Sequence, residues 1–474
     1  MSGGRRFHLP LLLAIAAGVL IAGCAQFTPA PIVPAETAAA LEGRRLDDER
    51  LRDFIASVSG AYADTAARHV AWDLSTLTLA AIYYHPQLEV TRAKLGKALA
   101  AIKTAGQIPN PALSLSPTKH TTILEPSSWT VGLLVNFVIE TFGKREHRIA
   151  QAEQLAEAAR ADLATAAWQV RGRVRAALLA LWAARHRQAL IQRRQDLQQQ
   201  LVGFLERRVS AGETSALDVS RERNNLNQVR LAMQDQQRQE AEARVQLAAA
   251  IGLPVRALDG VEISFAAFDQ PAVDGPILLG LGDSQAAMRR EALLHRSDVQ
   301  SLLAVYEAAQ AAVRLEIARQ YPNITLGPGY TYDQGDNQYL LNLTVDLPVF
   351  HQNQGPIAEA YAQRREAAAQ FTEIQAQIIA EIDKAVASYR SALQARAMAD
   401  ALVSVQFRRQ QGMERALQAG EIDRIATVTS ALELATAEQS RFDAIAQQRQ
   451  AIELAEDALQ RVLFENSEWV RPVK

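Results

Sequence analysis

A proline-free run from Lys144 to about Arg208, dense in Ala, Gln, Glu, Arg and Leu, limits the chain most, because those residues are the strongest helix formers. At the α-helical rise such a run reaches roughly 100 Å, far longer than a globular helix. The same plan occurs twice. Phe142 through Ile149-Ala150-Gln151-Ala152 matches Phe350 through Ile357-Ala358-Glu359-Ala360, and Ala211-Gly212-Glu213 matches Ala419-Gly420-Glu421 at the same offset. Ahead of these, His85-Pro86-Gln87-Leu88 and His295-Arg296-Ser297-Asp298-Val299 precede helical runs that end at Pro109-Asn110 and Pro322-Asn323. Landmarks recurring in one order mark an internal duplication. Each half reads helix, two short strands, very long helix, glycine turn, returning helix, with return limbs from about Glu213 to Ala250 and about Glu421 to Leu463.

On the first long limb the apolar positions are small and recur about every 3.5 residues, among them Ala150, Ala152, Leu155, Ala158, Leu163, Ala166, Val170, Val174, Ala177, Leu178 and Leu181. That is the pattern of a coiled seam with close helix approach. A plain two-stranded coiled coil would explain the helices but has no need of strands. The strands alternate. Trp129, Val131, Leu133, Val135 and Phe137 interleave with Thr130, Gly132, Leu134 and Asn136, and Leu341, Leu343, Val345 and Leu347 interleave with Asn342, Thr344 and Asp346. Period two gives one apolar and one polar face. Leu113-Ser-Leu-Ser116 and Ile324 to Tyr332 are their expected partners, with 333–337 a turn-rich loop. A soluble sandwich shows the same alternation. Four strands, however, cannot close a useful barrel, and open strand edges are too costly in hydrocarbon, so in a membrane strands from several copies must close one barrel.

The N-terminus points to a membrane. Arg5 and Arg6, an apolar stretch from Leu9 to Ile21 and a small-residue exit match a secretory signal, and the stretch is shorter than the ~20 residues that span a bilayer. The sole cysteine, Cys24, follows Leu20-Ile21-Ala22-Gly23. An uncleaved anchor with an incidental cysteine is the plainer alternative. Ala25 to Ala40, with Pro29, Pro31 and Pro34, reads as an extended leader. A formal net charge of -2 offers no bulk attraction to nucleic acid.

Two resemblances follow. Leu20 to Cys24 resembles a bacterial lipoprotein box, which implies a covalent diacylglycerol and N-acyl lipid on Cys24; Ala25, where an aspartate would favour inner-membrane retention, implies the outer membrane. From about Leu77 to Leu463 the chain resembles the outer membrane factor family, the TolC-like exit ducts. This implies a mainly α fold with membrane β: a homotrimer forming a twelve-stranded β-barrel in outer-membrane lipid, continued by a twelve-helix α-barrel tunnel into the periplasm, each protomer an internal duplication. It also implies a periplasmic adaptor protein docked on the tips and an inner-membrane pump of the resistance-nodulation-division type. The expected division is 1–23 signal peptide, 24–76 acylated arm and equatorial segment, 77–259 first efflux repeat, 260–284 linker, 285–463 second repeat and 464–474 tail.

The turn Arg208 to Val219 resembles the family's hairpin tip, with Gln418 to Asp423 as its partner. Gly212 and Gly420 permit the chain reversal, and Glu213, Ser215 and Glu421 are the candidate adaptor-contact residues beside them. Asp218, Glu421 and Asp423 are candidates for acidic gate rings repeated around the opening. The family's best-known gate aspartates lie several residues past the second turn, where this chain has Ala426-Thr427-Val428-Thr429. The run 321–355 is most similar to members paired with heavy-metal exporters, with multidrug or organic-solute efflux as the alternative cargo. The histidines are scattered, and His85 and His295 suit matched helix starts. No HExxH, P-loop, GxSxG or free cysteine suggests an enzyme or a cofactor site. A lipid-anchored periplasmic coiled-coil adaptor or tether is the remaining rival class.

Overall fold

The computed structural model describes residues 25–58, 71–122, 127–269 and 283–463. The expected signal peptide, Cys24 and the tail after Leu463 lie outside these, as does most of the linker. The chain divides into two units, Met1–Arg44 and Arg45–Lys474. In the first, Pro34–Glu42 is a helix (α1) with proline in its first turn, so the leader expected to be extended is helical from Pro34 onward. The preset φ of proline and the alanines behind it favour that turn.

The second unit opens with α2 (Glu49–Val58), which buries Leu51 and Ile55 against α3 (Leu74–Tyr84). Asp73 caps α3 by accepting from the Thr76 amide at 2.8 Å. α4 (Pro86–Ala105) follows, with the His85 ring accepting from the Gln87 amide. Next come β1 (Ala112–Lys119), β2 (Trp129–Ile139), α5 (Lys144–Ser210) and α6 (Ala216–Ile251). A 3-10 turn and the short α7 (Ala266–Asp269) lead out of the first half, and Phe268 of α7 packs on Trp182 of α5. Among the described residues of the expected linker, Ile263 pairs with Trp72 in a parallel bridge. The second half comprises α8 (Asp283–His295), α9 (Ser297–Ala318), β3 (Ile324–Asp333), β4 (Asp336–Val345), α10 (Gln354–Gln418) and α11 (Arg424–Leu459). His295 ends α8 and does not cap α9, whose flanking residue is Arg296, so the matched histidines share a place in the repeat but not a role.

The strands form one antiparallel sheet in the order β1-β2-β3-β4, joined across the halves by β2 and β3. The expected 333–337 loop shrinks to Gln334-Gly335, both with positive φ, the geometry of a tight hairpin. β4 stops at Val345, short of Leu347. Register keeps the faces separate. Leu113, Leu115, Val131, Leu133, Val135, Phe137, Leu326, Tyr330, Leu341, Leu343 and Val345 fall on one face; Ser114, Ser116, Thr130, Asn136, Thr325, Thr331, Asn342 and Thr344 fall on the other. On the polar face, neighbours close over Gly132 and Gly327, where an added Cβ would meet Ser116 Oγ at 2.7 Å and Asn136 Oδ1 at 2.6 Å.

Below the sheet the helices continue the same four-element width. α5 packs on α6 and α11, and α11 packs on α10; α4 and α9 flank α5, and α9 reaches α10. The buried small residues expected on α5 are there, with Ala152, Ala158, Ala166, Val170, Val174, Leu178 and Leu181 enclosed, whereas Leu155 is exposed. At the top of the long limbs, Gly143 before α5 and Asn353 before α10 are both left-handed, and α10 starts two residues later in its repeat. Among the described residues, no helix is long and apolar enough to cross a membrane.

Candidate functional site

The hairpin tips assemble from the sequence upward. α5 ends at Ser210; Gly212 follows at φ +76, with its amide donating to the Val209 carbonyl and the Glu213 amide to the Arg208 carbonyl. In the second tip Gly420, at φ +75, donates to Leu417 and Glu421 donates to Ala416. Both are complete Schellman closures, which need a residue without a Cβ at the left-handed position. Ser215 then caps α6 by accepting from the Leu217 amide, and Asp423, one repeat later, caps α11 by accepting from the Ala426 amide at 2.9 Å. Asp218 accepts from the Thr214 hydroxyl at 3.2 Å, in the first turn of α6, where a negative charge opposes the helix dipole.

The structure brings the tips together through a residue the sequence did not single out. Arg208 pairs with Glu213 of its own tip at 3.3 Å and with Asp423 of the other at 2.9 Å. Around it, Leu201, Leu205 and Val219 are buried beside Val209, Ile425, Val428 and Leu432. Asp423 is therefore cap and ion-pair partner at once, with its charge compensated within the chain. The side chains of Glu213 and Glu421 are exposed. The only sequence signal for Arg208 was its place in the last turn of α5, where arginine also suits the dipole.

The same pairing climbs the seam between α5 and α11. Arg193 meets Glu438 at 2.8 Å, Arg187 meets Asp443 at 2.7 Å, and Arg175, with Arg171, meets the buried Glu456. Every arginine is on α5 and every carboxylate on α11. Near the top of this seam, burial pushes Glu453 up to about 7, with Asp457 and Glu456 adding repulsion and Arg175 and Arg171 opposing it. Burial likewise raises Asp457, against the Trp168 indole N–H that it accepts at 3.2 Å. Among the described residues, no group of three or more His, Cys, Asp or Glu could hold a metal ion.

The described residues thus join an antiparallel sheet with one apolar face to two long helical hairpins. Residues 79–253 match the outer membrane efflux protein family. Among relatives, the chain is 27% identical over 281 residues to the cobalt-zinc-cadmium resistance protein CzcC of Cupriavidus metallidurans, covering 58% of this chain and 63% of that one. It is also 27% identical over 232 residues to the pyoverdine export outer membrane protein OpmQ of Pseudomonas aeruginosa, covering 47% and 46%. The chain thus spans less than two thirds of either relative. Its fold is that of the outer-membrane channel OprN, with TM-score 0.67 at 18% identity over 92% of this chain and 98% of that one.

Proposed function

We propose that the protein is the outer-membrane exit duct of a tripartite efflux system, passing substrate from an inner-membrane pump of the resistance-nodulation-division type, through a periplasmic adaptor, to the exterior. One observation carries the reading: the sheet has a continuous apolar face, a polar opposite face and unpaired outer edges on β1 and β4. An open edge cannot stay in hydrocarbon, where each unpaired backbone group costs several kcal/mol. Three copies closing edge to edge supply twelve strands, a size known for outer-membrane barrels. α6 and α10, the outer limbs of each copy, then become neighbours and close the tunnel as twelve helices.

The likeness to CzcC favours heavy-metal cations as cargo, and the likeness to OpmQ favours a larger organic solute. The duct wall itself need not choose between them. Acylation of Cys24 supplies a second hold on the outer membrane. Glu213, Ser215 and Glu421 are the adaptor-facing groups of the tips; Asp218 and Glu421 are the acidic gate candidates whose charge has no compensation like that of Asp423. Purified protein in planar bilayers tests the duct: discrete conductance steps are expected, and a protein that never conducts is a tether or adaptor instead.

A further inference from the structure

The duplication makes one joint of the protomer a copy of another. Within the chain, the first half meets the second along β2–β3 and α5–α11. In a closed ring, the second half of one copy must meet the first half of the next along β4–β1 and α10–α6. If the halves are equivalent, the observed joint fixes the register of the unobserved one. The equivalence can be checked. Pro109-Asn110 recurs at Pro322-Asn323, 213 residues on, and Phe142 recurs at Phe350, 208 residues on. Those shifts carry the observed pair Leu113–Val135 onto Leu326–Leu343, which is also observed. The 208-residue shift also carries α6 (Ala216–Ile251) onto α11 (Arg424–Leu459), end for end.

We propose that neighbouring copies join in the register of the intrachain joint, but without its arginine–carboxylate ladder. The proposal rests on the multi-copy duct read above. Carried across, Phe137–Leu326 becomes Val345 with Leu113 of the next copy, and Leu134–Gly329 becomes Asn342 with Ser116. These assignments keep apolar residues with apolar and polar with polar; a one-residue slip would not. The strand-to-helix corner follows. Phe142 stacks on Tyr321 with ring centres 3.8 Å apart, and its equivalent, Phe350, is 99% exposed within its own copy. The position equivalent to Tyr321 is Ile108, also exposed, so the two would cover each other.

Lower down, the chemistry changes. Arg193–Glu438 becomes Ala401 with Arg230, Arg187–Asp443 becomes Ala395 with Asp235, and Arg208–Asp423 becomes Ala416 with Ser215. No arginine–carboxylate pair survives the shift. In its place Leu231 falls level with Asp400, between Met398 and Leu402, and all three of these apolar side chains are exposed in the single copy. The copy-to-copy seam thus carries Arg230 and Asp235 opposite alanines, without the cross-joint ion pairs of the intrachain seam.

Disulfide trapping tests the register. Cysteines directly opposite on antiparallel strands lie within bonding reach, whereas a shift of four residues puts them out of reach. Full-length protein carrying Asn342→Cys and Ser116→Cys is expected to give covalent dimers and trimers on oxidation; Asn342→Cys with Ala112→Cys is not. Ala401→Cys with Arg230→Cys repeats the test on helices in case strand variants do not assemble, and each single substitution controls for Cys24. Linking by the shifted pair alone, or by neither designed pair in a protein that light scattering shows to be trimeric, overturns the register and leaves the duct standing. No linking in a protein that is monomeric by light scattering overturns the duct reading itself, and the register with it.

Discussion

Asp423 can be tested as latch, cap and gate separately, because two substitutions remove different parts of it. Asparagine caps a helix as well as aspartate does, so Asp423→Asn removes only the bond to Arg208. Both partners are about half exposed, which sets that bond near 0.2–1 kcal/mol per copy. If one such intrachain bond in each of three copies keeps the tips closed, their loss shifts the opening equilibrium by about three- to 150-fold. Asp423→Ala removes the cap as well, at a further cost of about 0.5–2 kcal/mol to the start of α11. Single-channel recording in planar bilayers reads both. Open probability is expected to rise in Asp423→Asn, and the wild type should approach it as salt screens the pair. Cation preference should hold, since Arg208 already compensates the charge in the wild type. A fall in cation preference without a change in opening would show Asp423 acting as a free acidic ring and would refute the compensation argument. Unchanged opening and preference in both variants would leave it as a cap alone.

Gly420→Ala forces a Cβ into the left-handed region, costing about 1–2 kcal/mol, and should raise proteolytic cutting at the second tip while trimers persist. Glu456→Ala leaves Arg171 and Arg175 buried beside an empty site, and a loss of about 3–5 kcal/mol is expected by denaturant unfolding; Arg175→Met with Glu456→Met should recover most of it. Glu453 gives a pH signature. Its native value of about 7 lies above the ordinary 4.5, so the folded state keeps a proton that the unfolded chain loses in between. Stability should therefore fall as pH rises from about 4.5 to 7, by about 3 kcal/mol in all, and level off above; Glu453→Gln should flatten that window. Cys24→Ser should lower outer-membrane content while the molecules that arrive conduct normally, and normal content with no conductance would contradict the separation of anchor from pore.

Much of this architecture was legible because it is periodic. Period two in Trp129–Phe137 and Leu341–Val345, the absence of proline through α5 and the repeat of Ala-Gly-Glu at both turns are local patterns, and each maps onto an observed element. The departures arise where a local rule admits two solutions. Asparagine can occupy the left-handed region, so Asn353 stands before α10 where glycine stands before α5. A turn-rich 333–337 did not specify how few residues the hairpin would leave unpaired. The seam between α5 and α11 was hidden for a different reason: Arg175 and Glu456 lie 281 residues apart, and nothing local sets an antiparallel register over that distance.

That seam shows where divergence between the halves has acted. The turns, the caps and the helix lengths agree at a fixed offset, which two halves must keep if they are to stand side by side in one wall. The ionic groups do not agree. Arg208 and Asp423 face each other inside a copy, while their equivalents, Ala416 and Ser215, carry no charge. A wall with identical seams would loosen everywhere at once when the tips part. Copies joined in the proposed register give two classes of joint, one laced by arginine–carboxylate pairs that can exchange with water as they open and one without such pairs. On the proposed assembly, separation is then expected first within each copy, between the α5–α6 and α10–α11 hairpins.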